Sequence, residues 1–191
     1  MKGFIVFQIM GALLLTPTLL WAGERTFTYE ASEIIENSFE NIIDISRDFE
    51  NYCKECKYEV EEVVCQDLIE QGDDSHVYFW THSASLIGTY KYFSTNEYTF
   101  VDEDTVVITT KYPEKQEADR LRKTYDLEHN TPFSFFSATW IIERISETTS
   151  RVSFEGVFQT NNPLAGLFKN SIQDGIEGCV ADFLNKFYIT N

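Results

Sequence analysis

The apolar periodicity of the chain changes at Asn162–Pro163. Before that point Val152, Phe154, Gly156 and Phe158 alternate with Ser153, Glu155 and Gln159, the period of a strand with one buried face. After it Phe168, Ile172, Ile176, Cys179, Val180, Phe183 and Phe187 recur at a spacing near 3.6, which places them along one side of a helix. Asn162 and Pro163 suit a cap followed by a first-turn proline. A helix with a single apolar stripe must bury it, and the preceding strands supply the surface. Gly175 and Gly178 fall inside the helical pattern, where each costs about 1 kcal/mol against alanine. Close approach to the sheet is expected to offset that cost.

The segments before the switch read mostly as strands. Phe27, Tyr29 and Ala31 alternate with polar neighbours in an opening strand within 23–37. A short helix follows in "SFENIIDIS", with Ser38 as N-cap and Phe39, Ile42 and Ile43 as its stripe. A second helical turn is expected over 48–56. Strands are then predicted over 57–67 (with a bulge near Val63 and Val64), 75–83, 86–100, 105–112, 133–147 and 151–160. "QGDD" at 71–74 and "DED" at 102–104 mark turns, and "TTS" a turn before the last strand. Residues 113–132 are charged and irregular, with a helix predicted in "EKQEADRLRK" and a short strand in "TYDLEH".

The first 22 residues carry one charge, Lys2, then an apolar run from Phe4 to Leu15 and "TPTLLWA". This is the layout of a secretory signal, with cleavage expected after Ala22. The apolar run is interrupted by Gln8, Thr16 and Pro17 and falls short of the roughly 20 residues of a spanning helix. Residues 23–191 then form one domain, exported to the periplasm or secreted, with no stable membrane span. Loss of Lys2 takes the formal charge from −16 to −17. So acidic a domain repels phosphate backbones, which argues against nucleic acid as a partner. With 16 Phe, 10 Tyr and 3 Trp there is ample apolar material for a core and for contact with a ligand.

The element order is strand, two short helices, a run of antiparallel strands and one long terminal helix. "ENSFENIIDISRDFENYCKECKYEVEEVV" fits that order in detail: a polar strand end, an apolar helix, then the turn Asp48-Phe49-Glu50-Asn51-Tyr52. Trp140 in the penultimate strand and the Asn-Pro-Leu start of the last helix agree. Together these resemble the START-like (SRPBCC) superfamily, nearest its polyketide cyclase and coenzyme Q-binding branch, over nearly all of residues 25–188. Cys53-Lys54-Glu55-Cys56 stands where that family often has proline, and the 113–132 segment is longer than usual. The resemblance implies an α+β helix-grip fold: a strongly curved antiparallel sheet of about seven strands with the C-terminal helix packed across it. It also implies a hollow between sheet and helix that holds a hydrophobic small molecule or lipid. A monomer is expected.

Candidate contact residues follow from the alternation. Tyr78, Trp80 and His82 share one face of a strand, Tyr90 and Tyr92 of the next, Phe154 and Phe158 of the last, with Trp140 between. Phe168, Ile172 and Ile176 face them from the helix. The terminal helix and the 113–132 segment are expected to roof the hollow. For any one of these residues, plain core packing is the commoner role.

No constellation for catalysis stands out, and no cofactor or metal is implied. His76 and His82 lie six residues apart on a strand, about 20 Å, too far to share a metal. His82 is the candidate to hydrogen-bond a ligand oxygen, and ordinary structural histidine is the competing reading. The chain has four cysteines. Cys53 and Cys56 sit among acidic residues that disfavour a thiolate, so a structural disulfide between them is preferred, with inert thiols as the next reading and redox chemistry or zinc last. Cys65 and Cys179 keep other pairings open. The overall reading is an exported binding protein. Its alternatives are a cyclase or aromatase-type enzyme using the same cavity, and an interaction protein whose hollow is filled by its own side chains.

Overall fold

The structure, a computed structural model, describes residues 25–47, 62–84, 88–131, 133–162, 165 and 169–188. Its elements in chain order are β1 (Arg25–Ile35), α1 (Phe39–Arg47), β2 (Glu62–Gln71), β3 (Ser75–Ala84), β4 (Gly88–Phe100), β5 (Thr105–Lys111), α2 (Lys115–Tyr125), β6 (Phe135–Ser146), β7 (Thr149–Thr160) and α3 (Lys169–Lys186). The strands form one seven-stranded sheet in the order β1-β7-β6-β5-β4-β3-β2. Every neighbouring pair is antiparallel. Strands β2 to β7 are a continuous meander, and β1 closes the far edge against β7. Pairing in β2 passes from Val63 to Cys65, so the expected bulge falls at Val64. The expected signal at 1–22, the expected helical turn at 48–56 with Cys53 and Cys56, and Phe168 lie outside the described residues.

Helix α3 packs on one face of the sheet, here the inner face. Val180, Leu184 and Phe187 are buried in a core with Trp140, Ile142, Val152 and Phe154 from the sheet and Ile35, Phe39, Ile42 and Ile43 from β1 and α1. Ile176 joins Phe27 and Ala165 in a second cluster at the other end of the helix. Of the stripe read from the sequence, Ile172, Ile176, Val180, Phe183 and Phe187 lie on the packed side, with Leu184 added. Gly178 is different. Among the described residues nothing lies within 4 Å of where its Cβ would be, so the expected close approach to the sheet is not made there.

Asn37 ties the elements together. Its amide donates to the Phe187 carbonyl at the end of α3 (2.7 Å), and its Oδ1 accepts from Ser38 N and Asn41 Nδ2. Its own carbonyl accepts from Ser150 Oγ in β7 (3.0 Å). The Phe187 carbonyl belongs to the helix end, where backbone acceptors lack intrahelical donors. Ser38 Oγ accepts from Asn41 N (3.3 Å), as an N-cap does.

Helix α2 lies on the opposite, outer face. Its buried residue is Leu121, which packs with Val77, Phe79 and Phe93 and the half-buried Ile69 and Leu127. Arg120 clamps it to β2 through a bidentate pair with Glu70 at 2.8 and 2.7 Å. This corrects the expectation that residues 113–132 roof the inner face. A single apolar position in a polar helix is satisfied by the odd-numbered side of β3 and β4. The expected strand at "TYDLEH" is also absent: Asp126 takes a left-handed conformation that ends α2, and Asn130 alone bridges to Lys91.

Candidate functional site

Cross-strand register arranges the inner face in rows. One row runs Tyr98, Ile108, Trp140, Phe154 and Ala31. The next runs His76, Asn96, Thr110, Ala138, Gly156 and Tyr29. Beyond it, Tyr78 faces Ser94, and Phe136, Phe158 and Phe27 line up on β6, β7 and β1. Last come Trp80 opposite Tyr92 and His82 opposite Tyr90. The second row is small or polar over most of its length and has large aromatic residues on both sides. In side-chain size the second row is thus a trough between aromatic rows, and its members from His76 to Gly156 are buried within the fold.

The predicted contact residues separate into two groups. Trp140 and Phe154 are core: their rings lie 4.5 Å apart, and Phe183 of α3 closes on Trp140 at 4.4 Å. Ile176 is buried against Phe27 and Ala165, and Ile172 packs beside them. The second group is an aromatic wall. Trp80 stacks on Tyr92 at 6.2 Å, and Tyr92 on Tyr90 at 6.2 Å. From Tyr92 the contacts continue to Tyr112 (5.4 Å), Phe136 (5.5 Å), Phe158 (5.0 Å) and Phe133 (5.9 Å), and return to Tyr90 (6.4 Å). Six rings close a circuit on the inner face, most of them half-buried. Tyr78 adjoins it through Trp80 (6.4 Å) and is fully buried. For His82 the backbone places the residue opposite Tyr90.

Tyr112, Phe133 and Phe136 belong to this circuit although they are not among the predicted contacts. Phe136 shares its parity with Ala138 and Trp140, and Tyr112 with Ile108 and Thr110, so strict alternation identifies both. Phe133 precedes β6 and carries no such signal.

The polar groups of the trough are neutral. His76 is buried, with Nδ1 2.9 Å from Tyr78 Oη. Burial, with Arg47 nearby, holds its pKa below the usual imidazole value. Burial pushes the Tyr98 phenol up to about 12 and raises Tyr78 and Tyr112 as well. Tyr98 donates to the Ser46 carbonyl (2.9 Å), Trp80 Nε1 to Ser94 Oγ (2.7 Å), and Tyr112 pairs with Thr131 (2.8 Å). Such a surface offers aromatic contact and uncharged hydrogen bonding. His129, the third histidine, stacks on Phe93 on the outer side, at 6.1 Å. Among the described residues no cluster of three metal-ligating side chains occurs. No described helix is long and apolar enough to cross a membrane. A separate open depression of about 380 Å³ lies on the outer face, lined by Glu30, Ser32, Thr139, Ile141, Ser153 and Glu155 among others.

No family model matches the chain, and no curated protein matches it by sequence. Solved structures do match. A STAR-related lipid transfer protein from Xanthomonas axonopodis superposes with a TM-score of 0.62 at 8% identity, covering 85% of this chain and 86% of that one. The protein TTHA0849 from Thermus thermophilus gives 0.61 at 14% identity, covering 84% and 97%. The Zhui aromatase/cyclase from Streptomyces sp. R1128 gives 0.55 at 12% identity, covering 85% and 92%. Lipid-transfer and aromatase/cyclase structures both appear, so the likeness is to an architecture that they share. At these identities the likeness is one of architecture: the fold of this chain is the helix grip of the START-like (SRPBCC) superfamily.

Proposed function

We propose that this chain is an exported protein that binds an apolar small molecule or lipid between the inner face of its sheet and α3. The observation that carries the reading is the circuit Tyr90–Tyr92–Tyr112–Phe136–Phe158–Phe133, with Trp80 stacked beside it. Rings that are mostly half-buried, some stacked and some packed edge to face, leave apolar surface for a guest, and burial contributes about 25 cal/mol per Å². In this reading the sheet is strongly curved and α3 spans its hollow, while Trp140 and Phe154 close one end. The lipid-transfer architecture of the Xanthomonas protein supports the same assignment by analogy.

Native mass spectrometry of the purified protein, before and after incubation with a panel of fatty acids, sterols and quinones, tests it. A bound mass is expected, and Trp80→Ala and Tyr92→Ala should each weaken binding about tenfold or more. A folded protein that takes up no compound of the panel overturns the reading. Export is tested separately by N-terminal sequencing of protein recovered from the producing cell, with Gly23 expected first.

The match to the Zhui aromatase/cyclase motivates a second reading, in which the same face carries out cyclisation. His82, opposite Tyr90, is then the acid–base candidate. Loss of turnover of a polyketide substrate in His82→Gln, with binding retained, would distinguish it from simple sequestration.

A further inference from the structure

The outer face of the sheet is covered over part of its width. α2 lies across β2, β3 and β4, and no described helix lies over the outer sides of β5, β6, β7 and β1. Cross-strand register sets the side chains of that uncovered part in rows. One row runs Glu97, Thr109, Thr139, Glu155 and Glu30. The next runs Thr99, Val107, Ile141, Ser153 and Ser32. The open depression of about 380 Å³ lies where these two rows cross β6, β7 and β1.

Glu30 and Glu155 stand directly opposite one another on β1 and β7, both exposed. Like charges so placed destabilise a sheet, because their Cβ atoms are only about 5 Å apart. The neighbouring acids of this face are matched, Glu97 by Lys111 at 3.1 Å and Glu143 by Arg151 at 3.3 Å. Among the described residues no cation matches Glu30 or Glu155. No third metal-ligating side chain stands with them among the described residues, so the pair suits a forked organic cation better than a metal ion. The covered part of the same face shows how it holds a helix. There Arg120 forks onto Glu70 at 2.8 and 2.7 Å, and Leu121 enters the apolar cluster beside it. The uncovered part offers the same two features: a pair of carboxylates, and Ile141 beside Val107, half-buried, in the adjoining row. A second copy of this chain would bring further acid to that acid, since its formal charge is −16.

We propose that the outer face of β5, β6, β7 and β1 docks a basic amphipathic helix of a partner protein, with an arginine forked between Glu30 and Glu155 and an aliphatic side chain on Ile141 and Val107. The partner's charge relieves the opposed carboxylates, and its apolar contact separates it from a bare cation. The surface lies on the side of the sheet away from the aromatic circuit, so the proposal stands or falls independently of ligand binding.

The test uses a fluorophore-labelled, alanine-based helical peptide of about 16 residues, with two arginines and two leucines at i, i+4 spacing on one side. One control peptide replaces its leucines by alanine. Anisotropy titrations compare the full-length wild type with Glu30→Gln/Glu155→Gln, and with Glu103→Gln/Glu147→Gln, which removes the same charge from two hairpin tips. The wild type should bind the peptide, and the first double variant should weaken binding roughly tenfold. The second should stay within about twofold of wild type. The leucine-free peptide should bind the wild type about fivefold more weakly. The unliganded Glu30→Gln protein should melt above wild type, since one of two opposed charges is gone. Equal weakening in both double variants overturns the site in favour of diffuse charge attraction. Equal affinity for the leucine-free peptide overturns the helix in favour of a bare cation. A wild-type dimer in sedimentation velocity that the peptide dissociates overturns the partner in favour of a second copy. Failure of the wild type to bind the peptide overturns the proposal outright.

Discussion

The Phe183 ring of α3 sits 4.4 Å from the Trp140 ring of β6, tilted by 41°, and Phe187 meets Phe183 edge-on at 5.1 Å. This contact fastens the helix to the middle of the sheet. Phe183→Ala should destabilise the protein by about 2–4 kcal/mol in chemical denaturation. A cycle with Trp140→Leu should show coupling of about 0.5–1.5 kcal/mol beyond the separate losses. Additive effects would mean that the two rings do not share the contact.

Gly156 is a glycine because two neighbours occupy its side-chain space. Its Cβ would lie 2.6 Å from Phe154 Cζ and 3.1 Å from a Phe158 ring carbon. Gly156→Ala must push both rings away from the trough. A loss of about 1–3 kcal/mol is expected. Because Phe158 belongs to the aromatic circuit, uptake of the fatty acid, sterol and quinone panel in native mass spectrometry should fall as well. Unchanged stability would show that the rings swing aside freely.

Gly178 predicts the opposite sign. It lies within α3, and the space beyond its Cα is open. Gly178→Ala should stabilise the fold by about 0.5–1 kcal/mol through helix propensity alone. Thermal melting measures this, and a destabilised variant would reveal a contact that the geometry lacks.

Acid sensitivity follows from two histidines. His76 is depressed by burial and then by Arg47, and His129 by burial and then by Arg122. The unfolded chain takes up these protons near pH 6.5, whereas the folded chain resists them. Their stabilisation is whole above about pH 6.5 and is lost as pH falls towards the folded values. Carboxylates held low by arginine, Glu40 by Arg144 and Glu70 by Arg120, lose theirs only below about 4.5. Urea midpoints should therefore drop between pH 7.5 and 5.5. His76→Gln and His129→Gln should each flatten that drop, and a slope unchanged in both variants would refute the assignment.

The strand ladder and the terminal helix are legible in the sequence because burial on one face leaves a period that substitution cannot hide. The Ser38 cap, the Val64 bulge and the burial of Ile176, Val180 and Phe187 fall where expected for that reason. Position on the sheet is harder to read. Residues of β3 are buried on both faces, Val77 and Phe79 against α2 and His76 and Tyr78 within, so alternation there carries no direction. Ser94 and Asn96 look like solvent-facing residues in a strand, yet both are buried, Ser94 as the acceptor of the Trp80 Nε1 hydrogen bond. The placement of α2 on the outer side is illegible too. Its single buried leucine names no partner until the sheet exists.

Asn37 is hidden for a related reason. It reads as a polar residue ending a strand, and its role comes from contacts brought together over a long separation, one of them 150 residues away. An aliphatic substitution there would take from the Phe187 carbonyl at the end of α3 its side-chain donor and from Ser38 N its acceptor.

The pairing of β1 with β7 carries a consequence for synthesis. Ser32 meets Ser153 across 121 residues, and each of the other neighbouring strand pairs is consecutive in the chain. While the ribosome is still making the meander, the first strand has its apolar side uncovered and no ladder to join. It can dock only after Thr160 has left the exit tunnel, so a nascent chain stalled earlier should present that segment to chaperones or to a neighbouring copy.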